Sequence, residues 1–367
     1  CGDARLTLPP FLPASTPWER LAMVLRLLVV FLLLCAGSAS LADDWPQWRG
    51  PNRDDVSQET GLLKSWPDDG PKRLWLFRQC GVGYGGPAIV DGLLYILGGR
   101  NGVEELIVVD TSDGREKWQA ELGEEWENRW GNGPRGTPTV DGGQVFALAA
   151  RGNLACVSVD SGAILWSKKM QELGGEIPKW GYSESPLVHD GKVICTPGGQ
   201  QGAIVALDRK TGELLWQTEA LTSEAHYSSP SVVARDGRQE VVQLLVDKLV
   251  GVDFETGAVN WEVPWPGRVA VIPSPIVRGD YVYATSGYGA GSMLIRVGPD
   301  SQVETIYENR VMKNHHGGAI LVGDHVYVYG GHLGSAHHYS EPGQSGRFAR
   351  LNLREPTKWE QLANVPK

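Results

Sequence analysis

One phrase, Asp208-Arg209-Lys210-Thr211-Gly212-Glu213-Leu214-Leu215-Trp216, recurs along this 367-residue chain and constrains its fold more than any other feature. Asp253, Gly257 and Trp261 repeat its offsets, as do Asp110, Gly114 and Trp118. Ser158, Gly162 and Trp166 form a copy with Ser in the first place, and a degenerate copy over residues 69–75 ends on Trp75. The tryptophans thus fall at 75, 118, 166, 216 and 261, every 43 to 50 residues. Self-similarity at that spacing marks a repeat architecture, and the repeat length decides which one.

A second phrase lies between the tryptophans. It reads Gly86-Pro87-Ala88-Ile89-Val90-Asp91-Gly92, then Thr137-Pro138-Thr139-Val140-Asp141-Gly142, then Ser185-Pro186-Leu187-Val188-His189-Asp190-Gly191. Ser229-Pro230 and Ser274-Pro275 open two more copies, and Gly318-Ala319-Ile320-Leu321-Val322-Gly323-Asp324 a sixth without proline. A proline is harmless at the start of a strand. An Asp-Gly or Gly-Asp turn then reverses the chain into a second alternating strand such as Lys192-Val193-Ile194-Cys195. A third strand, residues 203–208, leads through Thr211-Gly212 into a fourth that carries the tryptophan. Four short antiparallel strands with glycine punctuation make one blade of a β-propeller, and no segment has sustained helical periodicity. The expectation is an all-β propeller with about six recognisable four-stranded blades.

This grammar resembles the pyrroloquinoline-quinone-like propeller repeat, in which Asp, Thr-Gly and Trp close each blade. The resemblance covers roughly residues 45–330. The opening Asp44-Trp45-Pro46-Gln47-Trp48-Arg49-Gly50-Pro51-Asn52-Arg53 also resembles the mature start of secreted propellers of planctomycete bacteria. Propellers of this grammar commonly have seven or eight blades, so six copies read as an incomplete version of such a ring, with a tight six- or seven-bladed ring or a damaged product as the alternatives. An open ring leaves exposed strand edges. The segment Trp45–Trp48 is the candidate latch, pairing with the last blade. After Gly331 the pattern stops, and residues 332–367 read as a degenerate or truncated tail.

Ahead of the repeats, Met23-Val24-Leu25-Arg26, an apolar run from Leu27 to Ala36 and Ser40-Leu41-Ala42 read as a signal peptide over residues 23–42. The run is too short to span a bilayer. Cys35 follows Leu34 and so makes no lipoprotein site. Residues 1–22 begin with Cys and read as an upstream, non-native segment. The propeller over 43–331 is therefore expected in the periplasm or outside the cell. A formal net charge of −9 argues against nucleic acid and anionic membrane surfaces as partners. Beyond residue 42 the cysteines are Cys80, Cys156 and Cys195, with no metal-ligand spacing; Cys156 and Cys195 lie in strand patterns and read as buried thiols.

The loops that precede each Ser-Pro phrase enter the innermost strands and are expected to meet around one mouth of the central channel. They carry Tyr84, Trp130, Arg135, Trp180, Glu184, His226, Tyr227, Asn314 and His315, a convergence of polar and aromatic groups. Arg135 and Glu184 hold similar places in neighbouring blades. They are either ligand groups, for an anion and for a hydroxyl or cation, or a mutually neutralising pair. Trp130, Trp180 and Tyr227 either stack a planar or sugar ligand or pack between blades. His315 and His316 face opposite ways if their stretch is extended, so no metal site is expected there.

Two functions follow from the resemblance. Quinoprotein dehydrogenases of this repeat use an Asp base, a calcium ion, an aromatic plate and often a disulfide between adjacent cysteines. This chain has no Cys-Cys pair and no matching carboxylate set, so no catalytic residue is assigned. Outer-membrane assembly lipoproteins carry similar repeats as a docking surface with no quinone. The expected function is a binding or scaffold module that engages a protein, peptide or carbohydrate at the funnel mouth. A dehydrogenase using pyrroloquinoline quinone and calcium is the alternative.

Overall fold

The computed structural model describes Trp18, residues 42–310, 312, 314–316 and 318–331, and the strands 346–352 and 359–365. The expected upstream segment and signal peptide lie outside the described residues, apart from Trp18 and Ala42. Residues 44–367 form one unit, and its described residues form six four-stranded antiparallel sheets. Sheet one comprises Ala88–Val90, Leu93–Arg100, Val103–Asp110 and Glu116–Glu124; sheet two comprises Thr139–Asp141, Gln144–Leu148, Asn153–Ser158 and Ile164–Lys169. Sheet three comprises Leu187–His189, Lys192–Cys195, Val205–Asp208 and Leu214–Gln217; sheet four comprises Ser231–Arg235, Arg238–Leu244, Lys248–Asp253 and Val259–Pro264. Sheet five comprises Ile276–Arg278, Tyr281–Ser286, Gly291–Val297 and Val303–Asn309. Sheet six comprises Ala319–Val322, His325–Gly331, Gly346–Asn352 and Trp359–Val365. Strands follow one another in space as in sequence, and a register shift interrupts the pairing of the last two in all six.

Sheet six corrects one expectation. Its last two strands come from the stretch read as a degenerate tail, so the sixth blade is whole within the described residues. Residues 332–345 lie outside them.

The repeated turn works as its residues dictate. Asp208 Oδ1 accepts the amides of Lys210 and Thr211 at 2.8 Å each, and the Gly212 amide returns to the Asp208 carbonyl. Asp253 holds Glu255 and Thr256 in the same way. These amides hold the Asp208 carboxyl below its usual range. Gly212 sits at φ +72°, a conformation that favours glycine.

That glycine also receives the tryptophan of the sheet before it. A Cβ on Gly212 would lie 2.7 Å from the Trp166 ring, on Gly257 2.6 Å from Trp216, on Gly162 2.9 Å from Trp118, and on Gly114 2.8 Å from Trp75. Each indole then donates to a carbonyl three residues before the glycine it covers. Trp75 bonds Thr111 O, Trp118 bonds Val159 O, Trp166 bonds Arg209 O and Trp216 bonds Phe254 O, at 2.6–3.0 Å. Trp261 departs from the rule, because sheet five has no Thr-Gly turn to receive it; its indole bonds Glu240 within its own sheet.

Inward of these plates, five apolar clusters join sheets one to two, two to three, three to four, four to five and five to six. Among the described residues no such cluster joins sheet six to sheet one. Trp75 holds the place of a preceding blade's tryptophan on sheet one, while its neighbours Leu74 and Leu76 remain exposed. Cys156 and Cys195 are buried thiols within the cores, and Cys80 is half-buried.

The N-terminal segment does not add a strand to the last blade. Trp45 exchanges two backbone bonds with Ile89 on the inner strand of sheet one, and Pro46 O accepts the Val140 amide of sheet two. Arg53 donates to the carbonyls of Ser185 and Pro186 at sheet three. Arg49 donates to Ala319 O of sheet six and pairs with Asp55. The segment thus crosses the inner strands of four sheets, and a side chain provides the tie to the last blade.

The glycine contact yields a matched test. Gly212→Ala and Gly191→Ala both force a side chain into positive φ, but nothing lies within 4 Å of Gly191. The second should lose about 1 kcal/mol and the first roughly 2–4 kcal/mol, as the Trp166 plate is displaced. Urea unfolding of the two variants measures the difference.

Candidate functional site

The inner ends of the sheets are tied by the serines of the Ser-Pro phrase. Ser185 Oγ accepts the Thr137 amide of sheet two, and Ser229 Oγ accepts the Ser185 amide of sheet three, both at 2.9 Å. A hydroxyl that accepts one amide keeps its own hydrogen to donate. Above this row opens a cavity of about 580 Å³, within the range of small-ligand sites.

Its wall is aromatic. Trp48 enters from the N-terminal segment, Tyr84, Trp130, Trp180 and Tyr227 from the loops before sheets one to four, and Tyr288 from the turn between the second and third strands of sheet five. Trp130 is 49 % exposed and Tyr84 64 % exposed, so both faces of the mouth are open to solvent. Trp180 and Tyr227 meet at 5.7 Å and 54°, and Tyr288 meets His315 at 5.2 Å and 77°. Ser183, Ser185, Ser229, Ala270, Ile272, Arg135, His315 and His316 complete the described lining, and among the described residues it contains no carboxylate.

Trp130, Arg135, Trp180, Tyr227 and His315 are brought together here, as the sequence grouped them; Glu184, His226 and Asn314 are not in the wall. Arg135 and Glu184 are neither an exposed ligand pair nor partners of one another. Arg135 donates to the carbonyls of Gly133 and Gly131 at 2.6 and 2.7 Å and lies over the Tyr84 ring. Burial lowers its pKa against the pull of Tyr84 and Glu104. Glu184 is 1 % exposed, accepts the Thr196 amide, and faces Arg53 from the N-terminal segment. Burial outweighs that amide and Arg53, and pushes its pKa up to about 7. Counted from the prolines, Arg135 matches Ser183, which also lines the cavity, whereas Glu184 matches Gly136; one residue nearer the strand, the carboxylate side chain falls in the core.

His226 lies behind Tyr227, with ring centroids 5.1 Å apart, and its Nδ1 accepts the Val271 amide. Burial lowers its pKa to about 4 and keeps it neutral. Asn314 is buried and donates to Gly318 O. The expectation that His315 and His316 diverge is corrected: residues 314–316 form no strand, and both rings line the cavity 3.8 Å apart. Among the described residues no group of three or more His, Cys, Asp or Glu is placed to hold a metal ion. Trp48, Tyr288 and the phrase serines carried no ligand assignment in the sequence. The recurrence of serine before Pro186, Pro230 and Pro275 was the available signal.

The family profile described as outer membrane protein assembly factor BamB, a profile of the pyrroloquinoline-quinone repeat, matches residues 66–175 and 104–347. The chain belongs to this repeat family. Among curated proteins it is 30 % identical over 160 residues to quinoprotein alcohol dehydrogenase PedH of Pseudomonas putida, covering 41 % of this chain and 24 % of that protein. It is 26 % identical over 178 residues to outer membrane protein assembly factor BamB of Moranella endobia, covering 48 % of this chain and 42 % of that protein. The chain thus spans well under half the length of these relatives. Among solved structures, a europium-containing methanol dehydrogenase superposes with TM-score 0.62 at 13 % identity, covering 89 % of this chain and 78 % of that one. BamB from Moraxella catarrhalis superposes with TM-score 0.50 at 18 % identity, covering 78 % and 73 %. These likenesses establish the β-propeller fold.

Buried Glu184 sets a pH dependence. Between the ordinary carboxylate range near 4.5 and about 7 the folded chain keeps a proton that the unfolded chain has lost. Stability therefore falls as pH rises through that window, by on the order of 3 kcal/mol from this group. Glu184→Gln should gain stability relative to the parent from pH 4.5 to 8, measured by urea unfolding at each pH.

Proposed function

We propose that this chain is an exported binding propeller whose aromatic cavity receives a small ring or side chain from a carbohydrate, peptide or protein partner. The single observation that carries the reading is the wall itself. Six aromatic rings, two imidazoles and a row of hydroxyls converge on one opening from the loops of all six sheets and the N-terminal segment. Such plates bind through apolar area at small entropic cost, and the hydroxyls orient what is bound. Export is supported by the signal-like residues 23–42 and by the relative named for outer membrane protein assembly. No helix among the described residues is long and apolar enough to cross a membrane. The net charge of −9 speaks against a nucleic-acid partner.

The relatives named quinoprotein dehydrogenases give the alternative its weight. The wall offers aromatic faces to a quinone, but they are inclined to one another rather than parallel, and the described lining does not fit its calcium ion. A hard cation takes about six to eight oxygens, carboxylates foremost among them, and among the described residues the lining oxygens on side chains are hydroxyls. Glu184, the carboxylate nearest in sequence to the mouth, is turned into the core against Thr196 and Arg53. No catalytic step is assigned through the quinone.

Two measurements separate the readings. Saturation-transfer NMR with a library of small ring compounds should give binders whose signals vanish in Trp180→Ala and Tyr227→Ala variants that keep the parental melting temperature. After incubation with pyrroloquinoline quinone and calcium, gel filtration should leave no quinone absorbance on the protein. Stoichiometric retention, with dye reduction by alcohols or sugars, reverses the assignment.

A further inference from the structure

Charge around the cavity runs against the charge of the chain. Arg129 lies over the Trp130 ring at 4.8 Å and Lys179 over Trp180 at 5.0 Å. Both side chains are exposed, and neither makes an ion pair among the described residues. Arg135 adds a third cation in the wall, with two of its nitrogens tied to loop carbonyls. Arg129 and Lys179 lie outside the lining, over two of its rings, and Glu127 and Glu176 of the same loops lie outside it too. In a chain of net −9, the described lining itself thus carries a guanidinium and no carboxylate.

The shape of the wall restricts the ring that enters. A flat conjugated acid is held best between parallel plates. The neighbouring rings here are inclined, Trp180 to Tyr227 by 54° and Tyr288 to His315 by 77°. A puckered pyranose presents C–H faces in more than one direction, and its hydroxyls radiate from the rim. Inclined plates meet the faces, and the hydroxyls of Ser185 and Ser229 at the base meet the rim.

From these features together we infer that the cavity binds an acidic saccharide, a short pyranose chain that carries carboxylate or sulfate groups. Its rings pack against Trp130, Trp180 and Tyr227, and its anionic groups reach Arg129 and Lys179. The inference rests on the cavity being the binding site and narrows what that site takes.

The test is tryptophan-fluorescence titration of the whole chain with trigalacturonate, a sulfated galactan tetrasaccharide, neutral cellotriose and calcium-free pyrroloquinoline quinone. At least one acidic saccharide should bind about tenfold or more tighter than cellotriose. That affinity should weaken as salt is raised. It should fall about tenfold in the double variant Arg129→Ala, Lys179→Ala, with an unchanged melting temperature. Which of the two acidic probes binds distinguishes carboxylate from sulfate. Equal binding of cellotriose, binding of the flat quinone alone, or indifference to the double variant overturns the inference. If no saccharide binds while the ring-compound NMR still reports the cavity, the saccharide inference fails and the binding site stands; silence in both assays removes both.

Discussion

A tryptophan laid on the next sheet's glycine is the contact on which the rest of this propeller depends. It has two requirements that reinforce each other. The turn needs a residue at positive φ, and the incoming indole needs a surface without a Cβ; glycine meets both at positions 114, 162, 212 and 257. The Asp or Ser that opens each turn ties its amides, which fixes the carbonyl that receives the indole N–H. Registration between sheets is thereby set at the rim, by a directional bond. The apolar clusters further in contribute most of the burial but are themselves non-directional.

Because that rim contact fixes each sheet against its neighbour, it also fixes where the inner ends point. The serine hydroxyls accept amides from the adjacent sheet only if the sheets keep this spacing. The loops entering those ends are then held around one opening. The N-terminal segment adds a second constraint from the axis, with Arg49 and Arg53 donating to backbone carbonyls of sheets six and three. Where the series of apolar clusters does not run on from sheet six to sheet one, Arg49 and the Trp45 pairing provide described ties to both.

The cavity shows how a one-residue offset within the blade grammar changes what a side chain meets. Arg135 has its guanidinium at the wall beside Tyr84, while Glu184 is driven into the core, where burial raises its pKa. Had the carboxylate faced the opening, a hard cation would have found an anionic ligand there. With it withdrawn, aromatic faces, hydroxyls and cations are what a ligand meets.

Blade boundaries, the identity of the rim plates and the loops that meet at the mouth were legible in the sequence, because each depends on residues close together in the chain. Asp208, Thr211, Gly212 and Trp216 state the turn and the plate within one phrase. Sheet six shows the limit: the strands 346–352 and 359–365 lack the Asp and Thr-Gly signals, and only pairing against 325–331 makes them a blade. The partner of Glu184 was likewise hidden, since Arg53 arrives from the far end of the chain. The side-by-side placement of His315 and His316 follows from a local bend that strand alternation does not encode. Sequence alone therefore determined the repeat, its turn chemistry and the set of loops at the axis, all governed by short-range backbone preference. Tertiary structure decided which side chains of those loops face the opening, because that depends on how each loop enters its sheet and on a segment that crosses four sheets.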